Sequence, residues 1–294
     1  MRLASFILDG RPAYGLAADA GLRPAPDAFR ARHPTLAAVL AASATAELAA
    51  AVAAVPVVPL DRVRFLPVIP APGKVICVGV NYLAHIREMG REPPAYPTLF
   101  TRYPDSLVGH GEPIRRPRES VRYDYEGELA LVIGRPARRV AAADALDHVA
   151  GFTAFLDGSV RDWQNHTSQF IPGKNFPATG ACGPWLVTRD ELPDPARLRI
   201  ETRINGAVMQ SAPTSDLCFD VPRIVEYIST FTALAPGDII ATGTPSGVGF
   251  ARTPPRWLVA GDVVEVTLSD VEGPGIGTLR NVVVDDAATP DALR

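Results

Sequence analysis

The sequence predicts an α+β fold rich in β-strand, in which a small N-terminal module precedes a larger domain. Two observations predict the larger domain. The first is that short runs rich in Val, Ile and Leu recur from residue 70 onward, and the second is that Gly, Pro or Asp separates each run from the next. The third observation is an alanine-rich, proline-free segment ahead of residue 56, which favours helix. A chain of 294 residues has room for one small and one larger domain.

The N-terminal module is predicted over residues 1–69, with its linker included. It opens with the strand-like run "RLASFILDG", turns at residues 10–12, and continues into the helical composition of "TLAAVLAASATAELAAAVAAV". Prolines then recur through "PVVPLDRVRFLPVIPAPGK", which resists helix and favours an extended connector. The boundary is therefore expected near residue 70, and the second domain is expected over residues 70–294.

The larger domain is predicted to consist mainly of strands. Its strand-like runs are, in chain order, "VICVGV", "LALVIG", "LRIETRING", "DIIATG" and "DVVEVTL". Helical stretches are few, and the clearest are residues 81–90 and the run "VPRIVEYISTF". In that run Ile224, Val225, Ile228 and Phe231 fall at helical spacing after a proline in the first turn, which predicts one apolar face.

Composition argues against several classes of partner. Lys and Arg total 29 against 32 Asp and Glu, and no basic cluster carries the interleaved aromatics of a nucleic-acid surface. No apolar run approaches the roughly 20 residues that cross a bilayer, and Asp9 comes too early for a secretory signal. Cys77, Cys182 and Cys218 form no C-x-x-C motif, so no disulfide framework or thiolate zinc site is indicated. We expect a cytoplasmic protein with no nucleic-acid or membrane partner.

Three acidic residues alternate in "YDYEGELALVIG", at Asp124, Glu126 and Glu128, directly before an apolar run. In an extended chain such residues share one face of the strand. The next acid in an apolar setting is Asp157, so Glu126, Glu128 and Asp157 offer three carboxylates, a set that suits Mg²⁺, Mn²⁺ or Ca²⁺ rather than zinc. The alternative interpretation is a solvated strand face without a cation.

A histidine and a glutamate fall at helical spacing in "VGVNYLAHIREMG". If residues 82–90 are helical, His85 and Glu88 are neighbours on one surface, and the carboxylate can orient the imidazole and raise its basicity. Such a pair can take a proton from water. The alternative is an ordinary histidine on a surface helix.

Six blocks in order give the chain a resemblance to a known family. The blocks are "ICVGVNYLAHIREMG", "YDYEGELALVIG", "LDGSVRDWQ", "GKNFPATGACGPWLV", "ATGTPSGVG" and "GIGTLRN". Across residues 70–282 the sequence closely resembles the fumarylacetoacetate hydrolase family. The resemblance implies a β-rich roll of mixed sheets, a homodimer, and a metal-dependent enzyme that acts on 2-keto or β-diketo acids.

The resemblance also implies a metal site. It makes Glu126, Glu128 and Asp157 the ligands of a cation, expected to be Mg²⁺ with Mn²⁺ or Ca²⁺ possible, and it makes Asp124 an acid that is not a direct ligand. One departure concerns Leu156, which stands where the family commonly has Asn, so a hydrogen bond that supports the site is expected to be absent.

The remaining roles are likewise implied by the resemblance. His85 and Glu88 match a dyad that activates water on a lid, expected over residues 83–96 and ended by Pro93 and Pro94. Lys174 matches a lysine that stabilises negative charge on the substrate.

Three further residues match positions that contact substrate, namely Arg161, Gln164 and Thr244. The block "NFPATGACGPWLV" departs from the commoner family version close to where selectivity for the substrate is expected to be set. The acyl group of the substrate therefore stays open.

The predicted reaction is cleavage of a carbon–carbon bond in a 2,4-diketo acid, an acylpyruvate such as fumarylpyruvate, to pyruvate and a carboxylic acid. His85 would deprotonate the attacking water, and the cation with Lys174 would stabilise the leaving enolate. The alternative is isomerisation or decarboxylation of a hydroxymuconate-type or oxaloacetate-type 2-keto acid at the same metal site. A non-catalytic protein that binds Ca²⁺ is a third possibility, but it gives His85, Lys174 and Arg161 no reason to converge.

Overall fold

The computed structural model describes residues 1–18, 20–90, 92–270, 273 and 275–286. Within them the helices are α1 (Asp27–Arg32), α2 (Leu36–Ala41), α3 (Thr45–Val52), α4 (Leu83–Glu88), α5 (Arg161–Gln164), α6 (Ile171–Lys174) and α7 (Val221–Phe231). The strands are β1 (Arg2–Leu8), β2 (Arg11–Ala18), β3 (Gly21–Pro24), β4 (Val58–Pro59), β5 (Val63–Phe65), β6 (Val75–Gly79), β7 (Thr98–Arg102), β8 (Leu107–Val108), β9 (Ile114–Arg116), β10 (Tyr123–Asp124), β11 (Gly127–Ile133), β12 (Val149–Leu156), β13 (Ser159–Val160), β14 (Gly180–Thr188), β15 (Leu198–Ile204), β16 (Ala207–Pro213), β17 (Ile239–Ala241), β18 (Val263–Asp270) and β19 (Gly277–Asp285).

Two large sheets dominate the fold. The first has the strand order β4-β3-β2-β1-β14-β12-β11-β17-β6-β7, with β5 and β8 paired at its side, and the second has the order β16-β15-β18-β19-β9. Both sheets are mixed, because β6 and β17 pair in parallel in the first and β9 and β19 in the second, among mainly antiparallel neighbours. The predicted α+β, β-rich class and the roll of mixed sheets are confirmed.

The first sheet runs across the predicted domain boundary near residue 70. Strand β1 pairs with β14, so that Arg2 lies opposite Val187, and the N-terminal strands extend the sheet of the larger domain. Side chains of the N-terminal helices share an apolar cluster with Val75 and Cys77 of β6. The division into residues 1–69 and 70–294 stays a prediction, and residues 287–294 lie outside the described part of the chain.

The alanine-rich segment forms two helices, where the composition alone favours helix throughout. Helix α2 ends in a Schellman motif: the Ala44 N–H donates to the Val39 carbonyl and the Ser43 N–H donates to the Leu40 carbonyl, both at 2.9 Å. Ser43 takes the left-handed conformation that this motif requires, with φ of 52°. Because serine rarely adopts that conformation, the sequence gives no sign of the break.

Helix α7 coincides with the predicted run. The Asp220 side chain accepts a hydrogen bond of 2.9 Å from the Arg223 N–H and so caps the helix, and Ile224, Val225 and Ile228 are buried. Phe231 departs from the prediction because 58% of it is exposed. It is the last residue of the helix, where the apolar face has left the core.

Strand β11 lies at the centre of the first sheet, between β12 and β17. A Cβ atom at Gly127 would lie 2.1 Å from the Thr202 hydroxyl oxygen on β15, so glycine allows β11 to approach the second sheet at this point. No helix in the described part of the chain combines the length and apolar character that crossing a membrane requires. The predicted acidic residues flank Gly127, where the two sheets meet.

Candidate metal centre

Strand pairing brings Glu126, Glu128 and Asp157 together. The Asp157 N–H donates a hydrogen bond of 2.8 Å to the Glu126 carbonyl, which extends the β11–β12 ladder and sets Asp157 opposite Glu126. Glu128 follows two residues later on the same face. The side chains are buried, and one carboxylate oxygen from each lies within 4.8 Å of the others. A solvated strand face therefore does not describe these carboxylates.

The three carboxylates of the triad differ in how many positive charges they contact. Lys174 Nζ donates to Glu126 Oε2 and to Asp157 Oδ2, each at 2.6 Å. Burial favours a higher pKa for Glu126, but the charges of Arg161 and Lys174 outweigh burial and lower it. Within the described residues Glu128 receives a hydrogen bond from a backbone donor, the Gly243 N–H at 2.9 Å.

Glu128 is the strongest sign that the triad fits a cation. Burial raises the pKa of Glu128 well above its usual range, the charges of Asp157 and Glu126 raise it further, and Lys174 offsets only part of this. A divalent cation would remove that repulsion, and three carboxylate oxygens are the donors that Mg²⁺, Mn²⁺ and Ca²⁺ prefer. The residues present therefore could hold such an ion.

Asp124 binds Arg161 and backbone N–H groups instead of joining the triad. One of its oxygens accepts from the Gly249 N–H at 2.8 Å, and the other accepts from Arg161 Nε at 2.8 Å and from the Phe250 N–H at 3.0 Å. These contacts occupy both oxygens, in agreement with the expectation that Asp124 is not a direct ligand. Asp124 fixes Arg161 and the turn at residues 249–250.

Leu156 lies on the opposite strand face from Asp157, because it pairs with Gly127 and is buried in the apolar core. Its apolar side chain gives the Asp157 carboxylate no hydrogen bond, as expected from the departure at this position. Arg102 supports Asp157 instead: Nη1 donates to Asp157 Oδ1 at 2.6 Å and to the Gly158 carbonyl at 2.9 Å.

Arg102 is the main site residue that sequence reasoning missed. It is only 2% exposed, and its guanidinium also donates to the Thr179 hydroxyl at 2.9 Å. The available signal was an arginine that ends the strand-like run "TLFTR", where a buried charge requires a buried counter-charge. Nothing in the sequence shows that this counter-charge is Asp157, 55 residues away.

Lys174 stands at the end of α6 and has three acceptors. Besides Glu126 and Asp157, its Nζ donates to the Ser159 hydroxyl at 2.7 Å, and it lies 4.9 Å from the centre of the Phe100 ring. These bonds use all three N–H groups of the ammonium. Burial favours a lower pKa for Lys174, but the neighbouring carboxylates outweigh it and raise the pKa. Lys174 is therefore a fixed positive charge.

Arg161 and Gln164 belong to the short helix α5. The Arg161 guanidinium contacts Glu126 Oε1 at 2.6 Å, and its Nη1 donates to Gln164 Oε1 at 2.8 Å. Thr244 follows β17, where its hydroxyl donates to the Gly127 carbonyl at 2.9 Å and accepts from Gln210 at 2.8 Å. The Thr244 hydroxyl thus joins β11 to the loop that follows β17.

His85 and Glu88 meet as their spacing predicts. His85 Nδ1 lies 2.8 Å from Glu88 Oε2, and Glu88 Oε1 accepts from the Gly247 N–H at 2.9 Å. Burial favours a higher pKa for Glu88, but these hydrogen bonds and the charges of His85 and Arg252 outweigh it and lower the pKa. An ionised carboxylate can only accept, so Nδ1 carries the proton, and whenever the ring is neutral Nε2 is left as a base.

Helix α4 carries this dyad and is shorter than predicted, since it ends at Glu88 and Gly90 follows with φ of 65°. His85 is only 5% exposed, which does not describe an ordinary surface histidine. Of the predicted lid over residues 83–96, Arg91 lies outside the described residues.

One cavity of about 70 Å³ connects these groups. His85, Glu126, Glu128, Arg161, Gln164, Lys174 and Thr244 line it together. Apolar side chains, among them Met89, Phe100, Phe170 and Phe250, form other parts of its wall. The cavity therefore brings one base, two carboxylates of the triad and two fixed cations to a single small space.

Comparison with known proteins agrees with the family resemblance seen in the sequence. A model of the family described as fumarylacetoacetate (FAA) hydrolase C-terminal matches residues 74–284. The oxaloacetate tautomerase YisK of Bacillus subtilis (strain 168) is 43% identical over 228 residues, which cover 76% of this chain and 74% of the relative.

Solved structures agree over almost the whole chain. A fumarylacetoacetate hydrolase from Exiguobacterium antarcticum has a TM-score of 0.85 and 36% identity, covering 97% of this chain and 100% of that one. The maleylpyruvate hydrolase of Sphingobium sp. SYK-6, solved with manganese(II) and pyruvate, has a TM-score of 0.80 and 27% identity, covering 98% and 100%.

Proposed function

The chain belongs to the fumarylacetoacetate hydrolase family, and we propose that it is a metal-dependent tautomerase that interconverts the keto and enol forms of oxaloacetate or a similar 2-keto diacid. The observation that carries this proposal is the shared cavity, which joins an oriented histidine base to the carboxylate triad. The 43% identity to an oxaloacetate tautomerase supports the choice of reaction. It favours the alternative of the sequence analysis over hydrolysis of a carbon–carbon bond.

Glu126, Glu128 and Asp157 would hold the cation, which we propose to be Mg²⁺. When bound, such an ion supplies positive charge that stabilises negative charge on the 2-keto oxygen. The protein's own cations act in the same direction. Lys174 lies 2.6 Å from the carboxylates of both Glu126 and Asp157, and its donors are fully engaged, so it contributes charge rather than a proton.

His85 moves the proton. Its Nε2 takes a proton from C3 of the keto acid, the electrons of the C3–H bond form the C2=C3 double bond, and the electrons of the C2=O bond move to the oxygen. The imidazolium then returns the proton to that oxygen, which gives the enol. Glu88 holds the ring by Nδ1 throughout and stabilises its charged form.

Arg161 and Gln164 are proposed to bind a substrate carboxylate. The Arg161 guanidinium engages Asp124, Gln164 and Glu126 through three different nitrogens. A guanidinium has five N–H groups, so donors remain for a ligand in the cavity that Arg161 lines. The remaining wall is largely apolar and would exclude water from the enolic form.

The proposal is tested with the purified protein and the enol form of oxaloacetate, whose decay to the keto form is followed by ultraviolet absorbance with Mg²⁺ or with a chelator. We expect ketonisation to be accelerated only when the metal is present, and the acceleration to be lost in His85→Ala. Pyruvate is assayed in parallel to detect decarboxylation. Ketonisation no faster than in buffer would overturn the proposal.

Hydrolysis of a 2,4-diketo acid is the second candidate. The His85–Glu88 pair can activate water as well as a C–H bond, and the similarity to maleylpyruvate hydrolase supports this chemistry. The same preparation is therefore tested against acylpyruvates. Release of pyruvate from an acylpyruvate, without any effect on oxaloacetate ketonisation, would favour hydrolysis.

A further inference from the structure

Both peptide groups that meet at the Gly247 Cα are held by hydrogen bonds. Its N–H donates to Glu88 Oε1 at 2.9 Å, and its carbonyl accepts from the Tyr125 hydroxyl at 3.1 Å and from Arg252 Nε at 3.2 Å. The Gly247 backbone thus lies between the glutamate of the dyad and a tyrosine–arginine pair. Since Tyr125 directly precedes Glu126, the same contacts connect helix α4 with the segment that carries the metal triad.

Only glycine fits this position. Gly247 has φ of 101°, and a Cβ atom there would lie 2.2 Å from the Met209 carbonyl oxygen. The close approach of β16 confines the backbone at Gly247, whose N–H donates to Glu88. A second contact restrains the following peptide group, through the Gly247 carbonyl.

Arg252 supplies the second contact and is tied down itself. Its Nε also donates to the Tyr125 hydroxyl at 2.9 Å, and its Nη2 donates to the Met209 carbonyl at 2.7 Å. One guanidinium thereby joins β16, Tyr125 and the Gly247 turn. Its positive charge also favours the ionised form of Glu88, whose pKa is lowered chiefly by hydrogen bonds from His85 and Gly247 that outweigh burial.

We propose that Arg252 is a positioning residue for proton transfer, which acts through the backbone of Gly247 and through Glu88 to hold the imidazole of His85 at the cavity that it lines. The inference rests on the proposed function only for its kinetic consequence. Glu88 uses one oxygen for the Gly247 N–H and the other for His85. If the Gly247 backbone rotates about its Cα once the carbonyl is released, the bond from its N–H to Glu88 is lost, the carboxylate can rotate, and the imidazole no longer has a fixed tautomer and orientation.

The kinetic experiment compares Arg252→Met with Arg203→Met in the full chain with Mg²⁺. Arg203 is a suitable control because it also donates to a glycine carbonyl, that of Gly206 at 2.8 Å, and its other hydrogen bond is to Glu201 rather than to the Gly247 turn. We expect Arg252→Met to lower kcat for oxaloacetate ketonisation about 10–100-fold with little change in KM, since the binding groups are intact. Arg203→Met should leave both constants unchanged.

The spectroscopic experiment does not depend on activity. Nitrogen NMR of labelled protein reports which ring nitrogen of a histidine carries the proton, and His85 is assigned among five histidines by comparison with His85→Gln. For the neutral ring of the wild type we expect the proton on Nδ1, which faces Glu88. In Arg252→Met we expect the two nitrogens to move toward the averaged shifts of a ring that exchanges tautomers.

The kinetic and the NMR measurements distinguish a failure of the proposed function from a failure of the inference about Arg252. If the wild type does not accelerate ketonisation, the proposed function fails, while the His85 spectra still decide the role of Arg252. Unchanged His85 shifts in Arg252→Met, or a kcat within twofold of the wild type in an active enzyme, would overturn the inference. Arg252→Lys keeps the charge but not the paired nitrogens, so smaller changes in kcat and in the His85 shifts are expected in the same direction. If Arg252→Met does not fold, Arg252→Lys provides the test of the inference.

Discussion

The two sides of the cavity are built in different ways. On one side strand pairing brings the carboxylate triad together, and buried ion pairs with Arg102 and Lys174 fix Glu126 and Asp157. On the other side His85 stands on the six-residue helix α4, and the dyad is held by a backbone N–H of a glycine turn. From this difference we expect substitutions on the triad side to lower the free energy of unfolding, and substitutions on the dyad side to lower mainly the catalytic rate.

The largest expected effect is that of His85→Ala, the change that isolates the dyad side. Loss of a general base typically costs about 10²–10⁴-fold in rate, equivalent to about 2.7–5.5 kcal/mol of barrier. Because the triad is untouched, the affinity for Mn²⁺ measured by calorimetric titration should stay within about twofold, and the urea midpoint should shift far less than in Arg102→Met.

His148→Ala is the matched control for His85→Ala. His148 contacts the Pro136 carbonyl at 2.8 Å and is not among the residues that line the cavity. It should change neither rate nor metal affinity. A fall in metal affinity in His85→Ala comparable with its fall in rate would contradict the separation of the two sides.

Arg102→Met is the corresponding change on the triad side. It leaves Asp157 buried beside one cation instead of two, and removing one partner of a buried pair typically costs about 3–5 kcal/mol. Urea unfolding should show the loss. Arg62→Met removes an exposed pair with Asp9, in which Arg62 is 58% exposed, and should cost about 0–1 kcal/mol. Equal costs for the two arginines would show that the triad side is not the stable one.

The contrast also explains how much the sequence could predict. Alternation along "YDYEGELALVIG" predicted that Glu126 and Glu128 share a face, and helical spacing predicted the contact between His85 and Glu88, because both patterns are local. The strand-like runs predicted the β-rich class, and Asp157 was the next acid in an apolar setting; the resemblance supplied its role as a ligand, the role of Lys174 and the roll of mixed sheets.

What the sequence could not predict depends on non-local contacts or on backbone atoms. Arg102 contacts Asp157, which is 55 residues away in the sequence. Glu88 accepts a hydrogen bond from a backbone N–H, and no pattern of side chains predicts such a contact. Ser43 breaks a helical composition by adopting a conformation that serine seldom takes. These features are set by packing, which only the folded chain reveals.

A smaller effect is expected from Glu88→Gln on stability. The folded protein lowers the pKa of Glu88, so its contribution to stability is present above the unfolded value near about 4.3 and is lost as the pH falls through the folded value. Hydrogen bonds to charged groups contribute about 1.5–3 kcal/mol, and partial exposure reduces this to about 1 kcal/mol here. The difference in unfolding free energy between wild type and Glu88→Gln should therefore shrink from pH 7 to acid. A difference that grows on acidification would be evidence against an ionised Glu88.

The smallest expected effect lies outside the cavity, in the turn between α2 and α3. Ser43 pays the cost of a left-handed conformation, about 1–2 kcal/mol for a residue with a Cβ atom, whereas glycine avoids that cost but loses about 0.5–1 kcal/mol of extra chain entropy on folding. Ser43→Gly should thus raise the free energy of unfolding by about 0.5–1 kcal/mol, measured by urea unfolding. Ser43→Ala keeps the strained conformation and should change it little. Because the turn is remote from both sides of the cavity, neither variant should alter kcat or metal affinity. A glycine variant no more stable than the alanine variant would mean that the Schellman turn is not strained at this residue.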